Sequence, residues 1–322
     1  MKIKNSFLVF IVLVVIGILA CSPDDDGPTT IVENDRTEQQ LEDNQLLLEY
    51  LSTHYYNSSL FETPGNYTYS DIVITQLEQD EDGNFESLPN PEENTLLIDA
   101  VGDPLTVEFA GAEYQYYILQ INEGGGESPA FTDAVRVRYE GSLASTTGNV
   151  FDESGEPTEL TLQGDGVTSL GTIKGWQLVM PMFKTAENFT IEDDGAVTFN
   201  NYGTGVMFLP SGLGYYANFV AGIPPYSNLV FKFDLLQYEV VDHDGDGVPS
   251  FLEDIDNSGE VIDDDTDGDG LQNFRDADDD GDGVPTRFED IDGDGDPTND
   301  MSPVNPDLPR YLDPEATDSN QD

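Results

Sequence analysis

The run IPPYSNLVFKFDLL (223–236) follows, in order, YYILQINEGGG (116–126), VRVRYEG (135–141), NVFDES (149–154), IKGW (173–176) and FLPSGLGYY (208–216), and its reading decides the fold of this 322-residue chain. Between residues 114 and 240 the texture is that of a compact antiparallel β domain with one short helix near Trp176. Pro181 falls near the end of that helix, where it is tolerable only if the helix stops there. In VFDES the carboxylate of Asp152 stands beside the aromatic Phe151, which costs desolvation unless the acid has a partner.

In this order and at these distances, the six segments resemble the FK506-binding-protein family of peptidyl-prolyl isomerases, over roughly 120 residues. The resemblance implies an α+β fold, a twisted antiparallel sheet wrapped on a short helix. A pocket between them would be lined by Tyr139, Phe151, Asp152, Ile173, Trp176, Tyr215, Ile223 and Phe231. Trp176 would form its floor, the Ile173 N–H would fix the substrate backbone, and Tyr215 and Asp152 would make polar contacts at the rim. Plain core packing is the competing reading for Ile223, Phe231 and Trp176.

The implied reaction is rotation about Xaa-Pro bonds of exported proteins. Amide resonance sets a barrier of about 18–20 kcal/mol, and at proline the two isomers are close in energy. The twisted amide is less polar than the planar one, so a dry aromatic pocket favours it without moving a proton. Positioning and desolvation would carry the catalysis. No histidine is required, and His54, in a predicted helix, and His243, inside an acidic loop, form no acid–base constellation. Three departures from the family pattern stand out. The loop between Gly164 and Thr172 is longer than usual, Gly222 replaces a common β-branched residue, and Lys184 to Val206 carries an insertion. Its stretch EDDGAVTFNNYG (192–203) reads as a hairpin turning at Asp194-Gly195, expected to extend or partly cover the pocket.

On the N-terminal side, residues 38–113 read as an extension. Leu41, Leu48, Leu51 and Tyr55 suggest an amphipathic helix over Glu38 to Tyr55. Short strands are expected at Asp71 to Ile74, Leu96 to Val101 and Leu105 to Phe109, between turn clusters.

The first 20 residues have the layout of a secretory signal peptide, with Lys2 and Lys4 before an apolar run from Phe7 to Leu19 that is too short for a permanent span. Ile18-Leu19-Ala20-Cys21 resembles a bacterial lipobox, making Cys21 the lipidated N-terminus and the membrane contact. Residues 21–37 are an acidic tether, and Ser22-Pro23-Asp24-Asp25-Asp26 resembles the export tag of surface lipoproteins in Bacteroidetes-type bacteria. The expected location is the cell envelope, anchored to the outer membrane with surface exposure as one option. Cys21 is the only cysteine, which excludes an intrachain disulfide and a thiolate zinc site.

The chain holds 65 acidic and 11 basic residues, a formal charge of −54 that argues against nucleic acid as a partner. Of those acids 28 lie from Asp242 onward, beside only Arg275, Arg287 and Arg310. Without counter-ions such a stretch repels itself and lacks the apolar residues for a core.

The spacing within 241–300 is that of calcium loops, with oxygen ligands at positions 1, 3, 5, 7, 9 and 12 and glycine at 6. Asp242, Asp244, Asp246, Gly247 and Glu253 fit, as do Asp278, Asp280, Asp282, Gly283 and Glu289. Asp265, Asp267, Asp269, Gly270 and Asp276 fit with aspartate last. Asp254, Asp256, Ser258, Gly259 and Asp265 form a looser loop that shares Asp265. A fifth start at Asp290, read with Asp296-Pro297 where the turn should be, is expected to bind weakly. Loop starts 11 to 13 residues apart leave no room for flanking helices, and Pro249 and Pro285 resist them. The array resembles thrombospondin type 3 repeats and is expected to be non-globular until ordered by structural Ca²⁺. Residues 301–322 read as a tail.

Two readings of function follow: an isomerase assisting exported proteins with a calcium-ordered extension, or a non-catalytic adhesion lipoprotein using the same pocket on a calcium-stiffened stalk. A polysaccharide-handling role has no identifiable carboxylate pair. Neither the client nor the oligomeric state is legible.

Overall fold

The computed structural model describes residues 33–145 and 148–321; the signal sequence, Cys21 and most of the tether lie outside them. Among the described residues, no helix is long and apolar enough to cross a membrane. Near the start of the described residues, Asp35 accepts the N–H groups of Thr37 and Glu38, which caps α1 (Arg36–Thr53). The helix therefore starts and ends two residues before its expected bounds. Its buried face also differs: Leu47, Tyr50 and Leu51 point inward, while Leu41 is 71% exposed. The inward stripe includes Gln39, Gln40 and Asp43, polar positions that a search for apolar periodicity passes over.

Three short strands follow, β1 (His54–Tyr56), β2 (Ile74–Gln76) and β3 (Thr95–Leu96), paired in the order β2-β1-β3. The expected strand at Leu96 to Val101 is instead a single helical turn, α2 (Leu97–Val101), ended by Gly102 at φ +70°. Helical spacing lets Leu97, Ile98 and Val101 all join the cluster around α1, whereas an extended segment would send the adjacent Leu97 and Ile98 to opposite faces. Likewise, the strand expected from Asp71 begins only at Ile74, because Tyr69–Asp71 forms a 3₁₀ turn.

Next come β4 (Leu105–Phe109), β5 (Ala112–Asn122), β6 (Ala134–Leu143), β7 (Val150–Thr161), α3 (Lys174–Val179), β8 (Asn188–Ile191), β9 (Val197–Asn200), β10 (Gly203–Leu209) and β11 (Leu229–Glu239). Six of these strands make one antiparallel sheet in the order β4-β5-β10-β11-β6-β7. Period-two alternation sends Met207, Leu209, Phe231 and Phe233 to one face, against Trp176, Val179 and Met180. Val206, Phe208 and Val230 go to the other, against Leu47, Tyr50 and Leu51 of α1. The central strands are thus buried on both faces, and the N-terminal extension is one of the two layers covering the sheet. As expected, α3 stops at Val179, and Pro181 sits in the following 3₁₀ turn, where it breaks no helical bond.

Strands β8 and β9 form the inserted hairpin, with Gly195 at φ +88° in its turn. It docks Phe199 beside Tyr202 and Leu236 and reaches the N-terminal extension, where Asn66 Nδ2 donates to Phe199 O at 2.7 Å.

The acidic array runs through one-turn 3₁₀ segments at Ser250–Glu253, Asn273–Arg275, Thr286–Phe288 and Pro297–Asn299. It is less extended than its composition suggests. Residues 301–321 fold back instead of trailing: Arg310 N donates to Asp300 O at 2.8 Å, and Tyr311 and Leu312 bury themselves against Val248. This small apolar patch joins the first loop to the tail, a pairing of residues some 60 positions apart that no local pattern reveals.

Candidate functional site: an aromatic cleft and an acidic array

Strands β6, β7 and β11 and the N-terminus of α3 enclose a cleft of about 400 Å³, lined by Tyr139, Asp152, Leu160, Leu170–Ile173, Trp176, Tyr215 and Phe231. Trp176 is buried at its base, 5.3 Å from the Phe231 ring and 5.6 Å from the Tyr139 ring, both at steep angles. Edge-to-face packing fixes these rings against one another. At the rim the Tyr139 hydroxyl donates to Asp152 Oδ2 at 2.6 Å, while Asp152 Oδ1 accepts the Glu153 N–H at 3.0 Å. Burial and, next, this bond to Asp152 push the Tyr139 phenol well above the usual range. Burial and the Asp152 charge raise that of Tyr215. Both phenols therefore stay protonated and can donate. Ile173 precedes α3 in extended backbone, and its N–H has no hydrogen-bond partner among the described residues.

Six of the eight expected pocket residues line this cleft. Phe151 and Ile223 do not; they stand behind it, Phe151 edge-on to Phe231 at 5.6 Å and Ile223 buried in the core. Sequence reading overlooked Leu160, which lies in β7, and Leu170, Gly171 and Thr172, whose only signal was the unusual length of the loop before Ile173. The β8–β9 hairpin contributes nothing to the lining. It packs toward the N-terminal extension, so its place in sequence just before Tyr215 misled.

The acidic array brings carboxylates together in several groups, each with ligand oxygens within 4.8 Å of one another: Asp242, Asp244 and Asp246; Asp254, Asp256 and Asp264; Asp265, Asp267 and Asp269; Asp278, Asp280 and Asp282. A further group draws Asp246 and Glu253 to Asp279, which belongs to another loop, and all three are buried. In the second loop the neighbour is Asp264 rather than Asp265, and Asp265 serves the third. Ser258 Oγ lies 3.5 Å from Asp254 Oδ1, and Asp276 faces Asp267 and Asp269. The fifth loop has the same turn as the others. Gly295 stands at φ +91°, as Gly247 stands at +103°, and donates to Asp290 Oδ2 at 2.9 Å. The expected turn position there had been shifted by one residue.

These carboxylates fit a hard cation. Both carboxylate oxygens of Glu253 and of Glu289, with Asp246 Oδ2 and Asp279 Oδ1, are buried without a hydrogen-bond donor. Two like charges 4 Å apart repel by about 4 kcal/mol at an effective dielectric near 20. Burial and the neighbouring acids push Glu253 up to about 10 and Glu289 up to about 8. A divalent ion with an all-oxygen shell removes both penalties. His243 is no ligand: its Nδ1 engages Ser250 Oγ at 2.8 Å and its Nε2 the Gln163 carbonyl at 3.0 Å.

The class defined so far is a mixed α/β domain with an aromatic cleft between an antiparallel sheet and a short helix. The family model described as FKBP-type peptidyl-prolyl cis-trans isomerase matches residues 125–236, so this segment carries an FKBP-type domain. A second family model, described as BamM C-terminal, matches residues 243–308. The chain is 32% identical over 120 residues to the FKBP-type 22 kDa peptidyl-prolyl cis-trans isomerase of Escherichia coli (strain K12), covering 36% of this chain and 47% of that protein. It is 29% identical over 151 residues to the peptidyl-prolyl cis-trans isomerase Mip of Coxiella burnetii, covering 46% and 54%. The chain thus spans about half the length of the curated relatives it matches. The crystal structure of FkpA from Escherichia coli is 30% identical over 39% of this chain and 48% of that one, with a TM-score of 0.30.

Proposed function

We propose that this protein is a peptidyl-prolyl cis-trans isomerase acting on Xaa-Pro segments of exported proteins, tethered to the outer membrane through a lipidated Cys21 and completed by a calcium-ordered C-terminal array. The observation that carries the isomerase reading is the cleft itself. Trp176, Phe231 and Tyr139 form three walls at steep angles, a shape suited to a proline ring, with the Tyr139–Asp152 pair at one edge and the Ile173 N–H at the other. An aromatic floor stabilises the less polar twisted amide, and the N–H at Ile173 would hold the substrate backbone while rotation proceeds. Calcium is supported by buried carboxylate oxygens that lack a donor: both of Glu253, Asp246 Oδ2 and Asp279 Oδ1. The lipid anchor rests on the sequence around Cys21 alone.

The test is cis/trans exchange on a short Xaa-Pro peptide, measured by NMR with and without calcium. Acceleration by the wild type and its loss in an Asp152→Ala, Tyr139→Phe variant is the expected result. A non-catalytic peptide-binding role uses the same cleft and is favoured by Leu170, which lines it while 91% exposed. Peptide binding without accelerated exchange would select that reading.

A further inference from the structure

Resting on the reading above, we propose that the calcium array clamps the lip of the cleft, so that ion binding in the array and ligand binding in the cleft are linked. Lys174, Arg275 and His243 serve as the positioning residues. The lip is the segment 163–174. Its loop is pinched shut at the base, where Gly164 and Gly171 approach so closely that a Cβ on Gly164 would fall 2.2 Å from the Gly171 nitrogen. Leu170 to Ile173 then line the cleft, and the Ile173 N–H awaits the substrate.

Three contacts tie this lip to the array, and every one comes from inside a calcium loop. His243, between Asp242 and Asp244, meets the Gln163 carbonyl through Nε2 at 3.0 Å. A carbonyl only accepts, so Nε2 carries a proton, while Nδ1 shares a hydrogen bond with Ser250 Oγ at 2.8 Å. Lys174 Nζ donates to the Gly259 carbonyl at 2.9 Å and forms an ion pair with Glu260, both in the turn of the second loop. Lys174 is almost fully buried there, near the rings of Phe109 and Phe131. Arg275, which immediately precedes Asp276 of the third loop, donates from Nη1 to the Asp165 carbonyl at 2.9 Å. His243 and Phe274 meet edge to face at 5.2 Å, joining the first and third anchors into one body.

The glycine turns of the second and third loops, which lead into Gly259 and Glu260 and, five residues on, into Arg275, are closed by the same aspartates that would hold the ions. Asp254 Oδ2 accepts the Gly259 N–H at 2.9 Å, and Asp265 Oδ2 accepts the Gly270 N–H at 3.0 Å. With calcium bound, the carboxylates of each loop are drawn together and the three anchors hold their spacing. With calcium removed, the loops repel themselves, the anchors separate, and the lip is released. By linkage, whatever favours the clamped lip from the cleft side must tighten calcium by the same factor.

Trp176 is the sole tryptophan and sits on the cleft floor two residues from Lys174, so it reports on the lip without a label. Calcium is titrated into the full chain while calorimetry follows ion binding and Trp176 emission follows the cleft, with and without a saturating Ala-Leu-Pro-Phe peptide. Emission tracking ion occupancy, and a calcium midpoint lowered about fivefold or more by the peptide, is the expected result. In Lys174→Met with Arg275→Gln, calcium should still bind by calorimetry while Trp176 no longer responds. Arg275→Gln alone, remote in sequence from the reporter, should weaken the response. Calcium binding by calorimetry with a silent Trp176 in the wild type would overturn the linkage and leave the calcium reading intact. A double variant whose emission still tracks calcium would overturn the assignment of these residues. Absence of calcium binding would remove both. A peptide that is not isomerised, with Trp176 still tracking calcium, would remove the isomerase and keep the clamp.

Discussion

The Tyr139 hydroxyl donates to Asp152 Oδ2 at 2.6 Å across the bulged pairing of β6 and β7. Asp152 is thereby held at the cleft rim by a neighbour rather than by a cation. Asp152→Ala should reduce kcat/KM roughly tenfold or more, since a hydrogen bond to a charged group contributes about 1.5–3 kcal/mol. Tyr139→Phe should have a smaller effect, because Asp152 keeps its bond to the Glu153 N–H. Peptide exchange rates at several substrate concentrations check both. An unchanged rate in Asp152→Ala would remove this carboxylate from the site.

Gly141 keeps the cleft open. A Cβ there would fall 2.6 Å from the Phe231 ring and 2.8 Å from that of Phe151. Gly141→Ala should push Phe231 into the cleft, at an overpacking cost of about 1–3 kcal/mol. Peptide affinity should fall along with Tm. A crystal structure of the variant with Phe231 unmoved would refute this account.

Asp279 reaches into the group formed by Asp246 and Glu253 although its own loop lies elsewhere. Asp279→Asn should therefore weaken calcium at the first loop, by about tenfold for a lost charged ligand worth about 1.4 kcal/mol. Calorimetry on the variant, compared with Asp292→Asn in the fifth loop, tests this; equal and small losses in the two variants would argue against the bridge.

Ion removal should reverse the ordinary pH behaviour of the array. Glu253 and Glu289 are raised from 4.5 to about 10 and about 8, so without calcium the folded array binds more protons than the unfolded one. Its stability is then fully present below about pH 4.5 and is lost as pH rises toward 8–10. Unfolding in chelator at about pH 5 and about pH 8 should show the lower Tm at the higher pH. Saturating calcium should raise the value at about pH 8 more, because the ion binds the deprotonated ligands.

The FKBP-type segment should not fold well alone. Leu47, Tyr50 and Leu51 of α1 cover one sheet face, and Asp43 accepts the N–H and hydroxyl of Ser211 at 2.9 and 2.6 Å. Burying each large apolar side chain contributes about 1.5–3 kcal/mol, so their joint loss rivals the usual stability of a domain, about 5–15 kcal/mol. A fragment of residues 114–240 should show broad, non-cooperative melting by circular dichroism, whereas a sharp transition would show the extension to be dispensable.

Much of the cleft was legible because its residues sit in short segments whose local chemistry is distinctive. VFDES, IKGW and the strand through Phe231 carry their roles in their own few residues. The grouped carboxylates of the acidic loops were legible for the same reason, since those of one loop lie within a dozen residues of each other. Beyond the slipped turn of the fifth loop and the helical turn at Leu97, what sequence reading missed are pairs brought together over long separations. Asp279 joins Glu253, Tyr311 covers Val248, and Asp43 meets Ser211 across 168 positions.

The sequence by itself determined the antiparallel β texture of residues 114–240, the short helix ended before Pro181, the glycine turns of the first four aspartate loops and the excess of negative charge, because each depends on neighbours along the chain. Tertiary structure alone decided which face of α1 is buried, that the segment at Leu97 is a helical turn, and that the hairpin turns away from the cleft. It also decided that Lys174, His243 and Arg275 bind the cleft's lip to the array. Each of these is settled by which surface lies opposite, and the packed sheet supplies that surface only once strands distant in sequence have paired.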